Sequence, residues 1–281
     1  ASGVDARLAR LTLDRAQLRS GGPFALNRLE KSVNEAVDVP ALAALAYPGA
    51  VELALFAGEK RAYGMAGNAW ATRGRLLRAQ AHPNSLLIAR ALLGEASAGI
   101  IELSNEPTSD AAEFRKLGHK IVEAMDLTAP EARKPGPTTD LTAPQTLYAQ
   151  GIAWRTVITA KLASENRRPR LAPELKDPIV EIGGERHGSA LCEARVVTPR
   201  RPDFPHEERV DGHVGTVVLK LRADETGALE HWAVAATVGG PAFARSVEAV
   251  VPTWRLEKEA GAPSDCRMAR EFFTAVSYRY R

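Results

Sequence analysis

From Asp5 to about residue 166, apolar residues recur at three- and four-residue intervals, the period of an amphipathic helix. "DARLARLTLDRAQLR" puts Leu8, Leu11 and Leu18 on one face, and "PFALNRLEKSVNEAV" does the same with Leu26, Leu29, Val33 and Val37. A helix is expected after Asn84, a good N-cap, over "SLLIARALLGEASAGIIEL". Another is expected from Ser109 and Asp110, with Phe114, Leu117, Ile121 and Met125 as its inner stripe. The joins "YPGA", "AHPN" and "NEPTSD" predict helical hairpins, arranged as a bundle or a degenerate helical repeat. One further helix, "QTLYAQGIAWRTVITAKLASE", follows the Pro- and Thr-rich stretch "APEARKPGPTTDLTAP".

After "NRRPRLAPELKDP" the period changes from helical to extended. "IVEI" and "ALCEARVV" flank "GGERHG" and predict a hairpin. "VGTVVLKLRA" alternates, with Val217, Leu219 and Leu221 on the buried side and Thr216 and Lys220 on the other, as in a half-buried strand. "ADETG" then turns the chain into a second strand facing inward with Trp232, Val234, Ala236 and Val238. Gly239, Gly240 and Pro241 open a helix whose stripe is Phe243, Val247, Val250, Val251 and Trp254. A last strand sets Met268, Phe272, Val276, Tyr278 and Tyr280 against Arg267, Glu271, Ser277 and Arg279. The expected fold class is α+β, with a helical domain over 1–170 and a small β-β-α-β domain over 171–281 that begins with an extended lead-in.

At 281 residues and 45% apolar composition the chain can bury substantial cores, which suits two domains. The formal charge of +3 is too small to imply a polyanionic partner. The basic tracts "NRRPR" and "TPRR" lie in Pro-broken segments without interleaved aromatics, so nucleic acid is not an expected partner. Apolar runs read as short and interrupted, below the roughly 18 residues of a spanning helix. Membrane attachment is expected only through a signal or anchor preceding Ala1, although "ASG" equally suits a tag remnant.

Candidate chemistry is sparse. His206 and His213 in "HEERVDGH" match neither a HExxH helix nor a Cys/His zinc pattern, so no metal site is expected. No nucleophile elbow or Walker sequence occurs, and no cofactor is expected. Cys192 with His187 as a base is the nearest thing to a nucleophile pair, and five residues of separation do not establish it. Cys192 and Cys266 suit either one disulfide, worth roughly 4 kcal/mol for its loop length, or two buried thiols.

In the carboxy-terminal third, Phe204-Pro205, Gly212-His213-Val214, Asp224 to Gly227, Gly239-Gly240, Trp254-Arg255-Leu256 and the strand to Tyr280 follow in a set order. Over about 85 residues this order resembles the carboxy-terminal domain of TonB, the periplasmic energy transducer. Phe204 stands where that family has Tyr, and Leu256 where it has an aromatic. The helical domain stands where a transducer has a membrane helix and Pro-rich spacer. The resemblance implies a periplasmic, cell-envelope protein engaged in protein binding and protein transport, with no catalytic residues. It also implies that a partner segment adds as a strand to the last strand, at Met268, Arg270, Phe272, Thr274, Val276 and Tyr278, with Phe204 and Pro205 also in contact. Expected partners are proteins, such as an outer-membrane receptor or another envelope protein, or a second copy in a homodimer. The competing possibilities are an edge covered by the chain's own residues 179–197, an adaptor or oligomerisation module, and a cryptic hydrolase in the helical block.

Overall fold

The computed structural model describes residues 3–22, 24–105, 111–137, 139–165, 180–182, 191–211 and 213–278. The fold is α+β, with a helical amino-terminal region and a small antiparallel sheet near the carboxy end. The chain divides into two compact units, Ala1–Ala124 and Met125–Arg281.

The first unit contains α1 (Gly3–Arg19), α2 (Ala25–Val37), α3 (Pro40–Glu59), α4 (Tyr63–Arg78), α5 (Ser85–Asn105) and most of α6 (Ala111–Ala132). The expected stripes are its core, with Leu11, Leu18, Leu29 and Val33 all buried. Asn84 caps α5 as expected, its Oδ1 accepting the Leu87 N–H at 3.1 Å. The expected start of α6 at Ser109 and Asp110 lies outside the described residues. "YPGA" is a correction: it is not a join but lies inside α3, with Pro48 in the helix interior. The cost of the missing N–H is offset by packing, since Leu42, Ala46, Ala50 and Leu53 are buried on both sides of Pro48. By length and mean hydropathy of 1.5, α3 is also apolar enough to cross a membrane. That differs from the sequence reading, because Ala-rich composition here runs unbroken by charge as far as Glu52.

Glu52 ties α3 to α1, accepting from Arg15 at 2.9 and 3.0 Å and from Arg19. Burial raises the Glu52 carboxyl, but the hydrogen bonds and charges of Arg15 and Arg19 outweigh it and hold it below its ordinary value. A depressed folded-state value means that the pair stabilises above the ordinary carboxylate range and that this is lost as pH falls through the folded value. Glu52→Gln is therefore expected to lower Tm at neutral pH and to leave it unchanged near about pH 2. Thermal melts at the two pH values check this, and an equal loss at both would show that shape rather than charge matters.

The second unit contains the end of α6, α7 (Ala143–Glu165), β1 (Val180–Ile182), β2 (Ala194–Val197), α8 (His206–Val210), β3 (Gly215–Ala223), β4 (Leu229–Val238), α9 (Pro241–Glu248), β5 (Arg255–Lys258) and β6 (Arg270–Tyr278). The main sheet has the order β1-β6-β3-β4, all neighbours antiparallel. β2 and β5 form a separate two-stranded ribbon. The hairpin expected of "IVEI" and "ALCEARVV" is thus corrected: the first segment supplies β1, which pairs with β6, and the second supplies β2, which pairs with β5. The "GGERHG" loop and the expected boundary near residue 170 lie outside the described residues.

Both faces of the sheet are covered. On one, Val217, Leu219, Leu221 and Phe272 pack with Phe243, Val247 and Trp254 as expected. The stripe is not one helix, however: α9 stops at Glu248, and Val251–Thr253 is a 3₁₀ turn. Pro252 offers no N–H for a helical hydrogen bond, and Trp254 is extended with φ −79° and ψ 154°. Its indole N–H donates to the Arg200 carbonyl at 3.3 Å, pinning the lead-in. On the other face lies α7, grouped with the helical block by its period but packed on β3, β4 and β6. Tyr148 of α7 meets Phe273 with ring centroids 6.0 Å apart.

That second cover corrects the expectation of a half-buried strand. Thr216, Val218 and Lys220 are all fully buried, alternating with the inner residues of β3. Lys220 Nζ donates to the Pro137 carbonyl at 2.9 Å and to Gln145 Oε1 at 3.0 Å, and pairs with Glu271 Oε1 at 3.2 Å. The Gly136 N–H reaches Glu271 Oε2 at 3.5 Å. A charge at that depth requires such partners.

Candidate protein-interaction site

The last strand is extended for local reasons: "REFFTAVSY" is rich in aromatic and β-branched residues and lacks Gly and Pro. On its inner side it pairs with β3 without a break from Tyr278↔Gly215 to Arg270↔Ala223. On its outer side, among the described residues, β1 pairs with Phe273, Phe272 and Glu271. From Thr274 to Tyr278 no described strand pairs with that side of β6. Beyond it, Arg279 and Tyr280 lie outside the described residues.

Side chains along β6 alternate between the two covers, so those singled out from the sequence are occupied internally. Phe272 is fully buried, Met268, Thr274 and Tyr278 are buried, and Val276 packs against the same core. The Tyr278 hydroxyl donates to the Phe243 carbonyl at 3.4 Å. Burial pushes the Tyr278 phenol above its ordinary value, while Ser246 opposes the shift and Asp203 adds to it. Arg270 donates to the carbonyls of Met268 and Cys192. Phe204 stacks edge-on against Phe243 and Tyr278, at 5.7 and 5.6 Å between centroids. Phe204 and Tyr278 therefore meet at one end of β6, whereas Met268 and Arg270 stand at the other.

Pro205 is half-buried and precedes α8. With Phe204, Asp203 and Arg245 it lines a shallow groove of about 430 Å³ against α9. His206 and His213 do not converge: His213 Nδ1 is 2.9 Å from Glu208 Oε2, and His206 Nδ1 is 3.3 Å from Arg209. Among the described residues no group of three or more His, Cys, Asp or Glu could hold a metal ion. His187 lies outside the described residues, and Cys192 is disulfide-bonded to Cys266.

At the other end of the sheet a cleft of about 870 Å³ is lined in part by Arg222, Arg267, Glu225, Glu230 and Glu271. Its acids are engaged from within. Glu225 accepts the Met268 and Ala269 N–H groups, Glu230 lies 3.9 Å from Arg222, and Glu271 is held by Lys220. Sequence reasoning missed this cluster because the alternation of β3 puts Lys220 and β6 puts Glu271 on what reads as a solvent face. The available signal was the run "QTLYAQGIAWRTVI", apolar over more of its circumference than one covered face needs.

β4 forms the opposite border of the main sheet, and its pairing with β3 is irregular. Register slips between Val218 and Leu219 and between Arg222 and Ala223 leave Ala235 and Glu230 without direct partners. Such bulges twist an edge and hinder strand addition.

These elements define an antiparallel α+β unit with one helix on each face of its sheet, in which the final described strand, β6, is flanked by β3 along its length and by β1 over three residues. No family model matches the chain, and no curated protein matches it. Among solved structures, the solution NMR structure of the Pseudomonas aeruginosa TonB carboxy-terminal domain is similar over 32% of this chain and 88% of that one, at 19% identity and a TM-score of 0.26.

Proposed function

We propose that the chain is a non-catalytic binding protein of the bacterial cell envelope, which takes an extended segment of a protein partner along β6. The observation that carries this reading is the contrast between edges. Among the described residues, β6 keeps unbroken register with β3 and is paired with β1 over Glu271–Phe273 alone, while β4 is twice bulged. An added strand gains affinity from backbone hydrogen bonds, so the burial of the β6 side chains does not oppose it. The motif order shared with the TonB family puts the same role on the last strand. The Cys192–Cys266 bond suits an oxidising compartment such as the periplasm.

A second reading is favoured by β1 itself: the edge is closed by the chain's own residues, and the unit serves as an adaptor or oligomerisation module. A photocrosslinker at Ser277, exposed on β6, separates the two, with one at His231, exposed on β4, as control. Strand addition predicts an intermolecular adduct from position 277 and none from 231. The crosslinked segment, made as a peptide, should bind, and alternate N-methylation of its amides should abolish binding. Adducts from 277 to the chain's own residues alone would favour closure.

A further inference from the structure

The turn between α1 and α2 ends on Phe24, which is 78% exposed. Its backbone sits in the left-handed region, at φ 56° and ψ 17°. Bulky L-residues seldom occupy that region, because Cβ crowds the backbone. The turn is held from both sides. The Gly22 N–H donates to the Gln17 carbonyl, and the Phe24 carbonyl accepts the Arg28 N–H. An aromatic ring kept outside the core by a strained residue contributes little to folding, and such strain is a mark of binding sites.

A groove of about 400 Å³ runs between α1 and α2, with Arg28, one helical turn after Phe24, on its wall. Leu13, 57% exposed, lies on one wall. Arg10, Arg28 and Lys31 stand along it with side chains 59%, 43% and 71% exposed. These three cations share two carboxylates: Glu35, at 3.4 Å from Arg10 and 3.9 Å from Lys31, and Asp14, at 3.9 Å from Arg28. Asp14 also accepts the Ser32 hydroxyl. The cations are therefore loosely engaged, well beyond the roughly 2.8 Å of a tight charge-assisted bond. Gln17 Oε1, on a residue of the same wall, is buried and has no hydrogen-bond donor among the described residues.

An occupant matching this face brings apolar side chains to Leu13 and Phe24 and carboxylates to the rim. A groove between two helices receives the side-chain ridge of a third. We propose that the α1–α2 face docks an amphipathic helix of a partner protein, apolar along one stripe and acidic on its flanks. This surface is separate from the β6 edge and does not depend on strand addition. A bilayer surface would meet the protruding Phe24 ring but is too flat to fill the groove.

Fluorescence anisotropy on the full chain tests this with three probes: a helical peptide with a Leu stripe and Glu flanks, the same peptide with Lys flanks, and vesicles of phosphatidylglycerol. The Glu peptide should bind at least about tenfold more tightly than the Lys peptide. Phe24→Gly should weaken it about tenfold while leaving Tm unchanged or raised, since glycine adopts the turn without strain. Arg28→Glu with Lys31→Glu should invert the preference between the peptides. No binding of the Glu peptide, equal affinity for both peptides, or unchanged binding by Phe24→Gly overturns the proposal. Binding to vesicles without binding to the Glu peptide also overturns it, in favour of a membrane surface.

Discussion

Replacing Lys220 with methionine is expected to destabilise the carboxy-terminal unit by roughly 3–5 kcal/mol, the cost of leaving a buried charge without its partner. Glu271, 8% exposed, would keep its carboxylate in the sheet–α7 interface without the Lys220 ammonium that faces it at 3.2 Å. The Pro137 carbonyl and Gln145 Oε1 would also lose their donor. Adding Glu271→Leu to Lys220→Met should restore much of the loss, because removing both charges removes the desolvation cost of each. Hydrogen exchange at the β3 amides is the suitable measurement, since it reports this unit separately from the helical one. Equal losses in the single and double variants would mean that the two charges are not coupled and that packing sets the cost.

Loss of the Cys192–Cys266 bond carries the other large effect. The bond closes a loop with a sequence separation of 74. For that length the chain-entropy model gives a stabilisation of roughly 4 kcal/mol. The local structure depends on it as well: the Cys192 N–H donates to the Arg267 carbonyl at 3.0 Å, and the Cys192 carbonyl accepts from Arg270. Cys192→Ala with Cys266→Ala, or reduction of the native chain, should lower the unfolding temperature of this unit and speed exchange at β2 and β5. Two titratable thiols in the untreated protein, or a melt insensitive to reductant, would contradict it.

Much of the sheet was legible in the sequence because Val217, Leu219, Leu221 and Phe272 announce their face by alternation alone. What alternation does not show is whether the other face meets water. Thr216, Lys220 and Glu271 read as solvated and are buried, because α7 covers them and helical periodicity identifies a helix without saying what it packs on. The stripe from Phe243 to Trp254 was read correctly as inward-facing and wrongly as one helix, since burial survives the break at Pro252. The pairings of β1 with β6 and of β2 with β5 join residues far apart in the chain, and local patterns see only hairpins.

The candidate edge was legible as a strand but not as a site. Period-2 patterning located β6, and nothing in it distinguished a strand with one neighbour from a strand flanked over three residues by β1. Met268, Phe272 and Tyr278, expected to meet a partner, are core residues for the same reason that the strand is recognisable at all: apolar alternation marks what the domain keeps for itself. Phe204 is the clearest case, an aromatic in a lead-in that ends up against Phe243 and Tyr278.

The position of β6 between β1 and β3 also constrains the order in which the unit can assemble. β6 is the last described strand in the chain, yet it supplies the carboxylate of Lys220 and the partner for β1. While the chain emerges from a ribosome or a translocation pore, α7, β3, β4 and α9 can already pack together, but β1 lacks its strand partner and Lys220 its carboxylate until Arg270–Tyr278 arrives. Completion of the sheet is therefore a late event with long loops to close, slow by its topology and exposed to holding factors in the meantime.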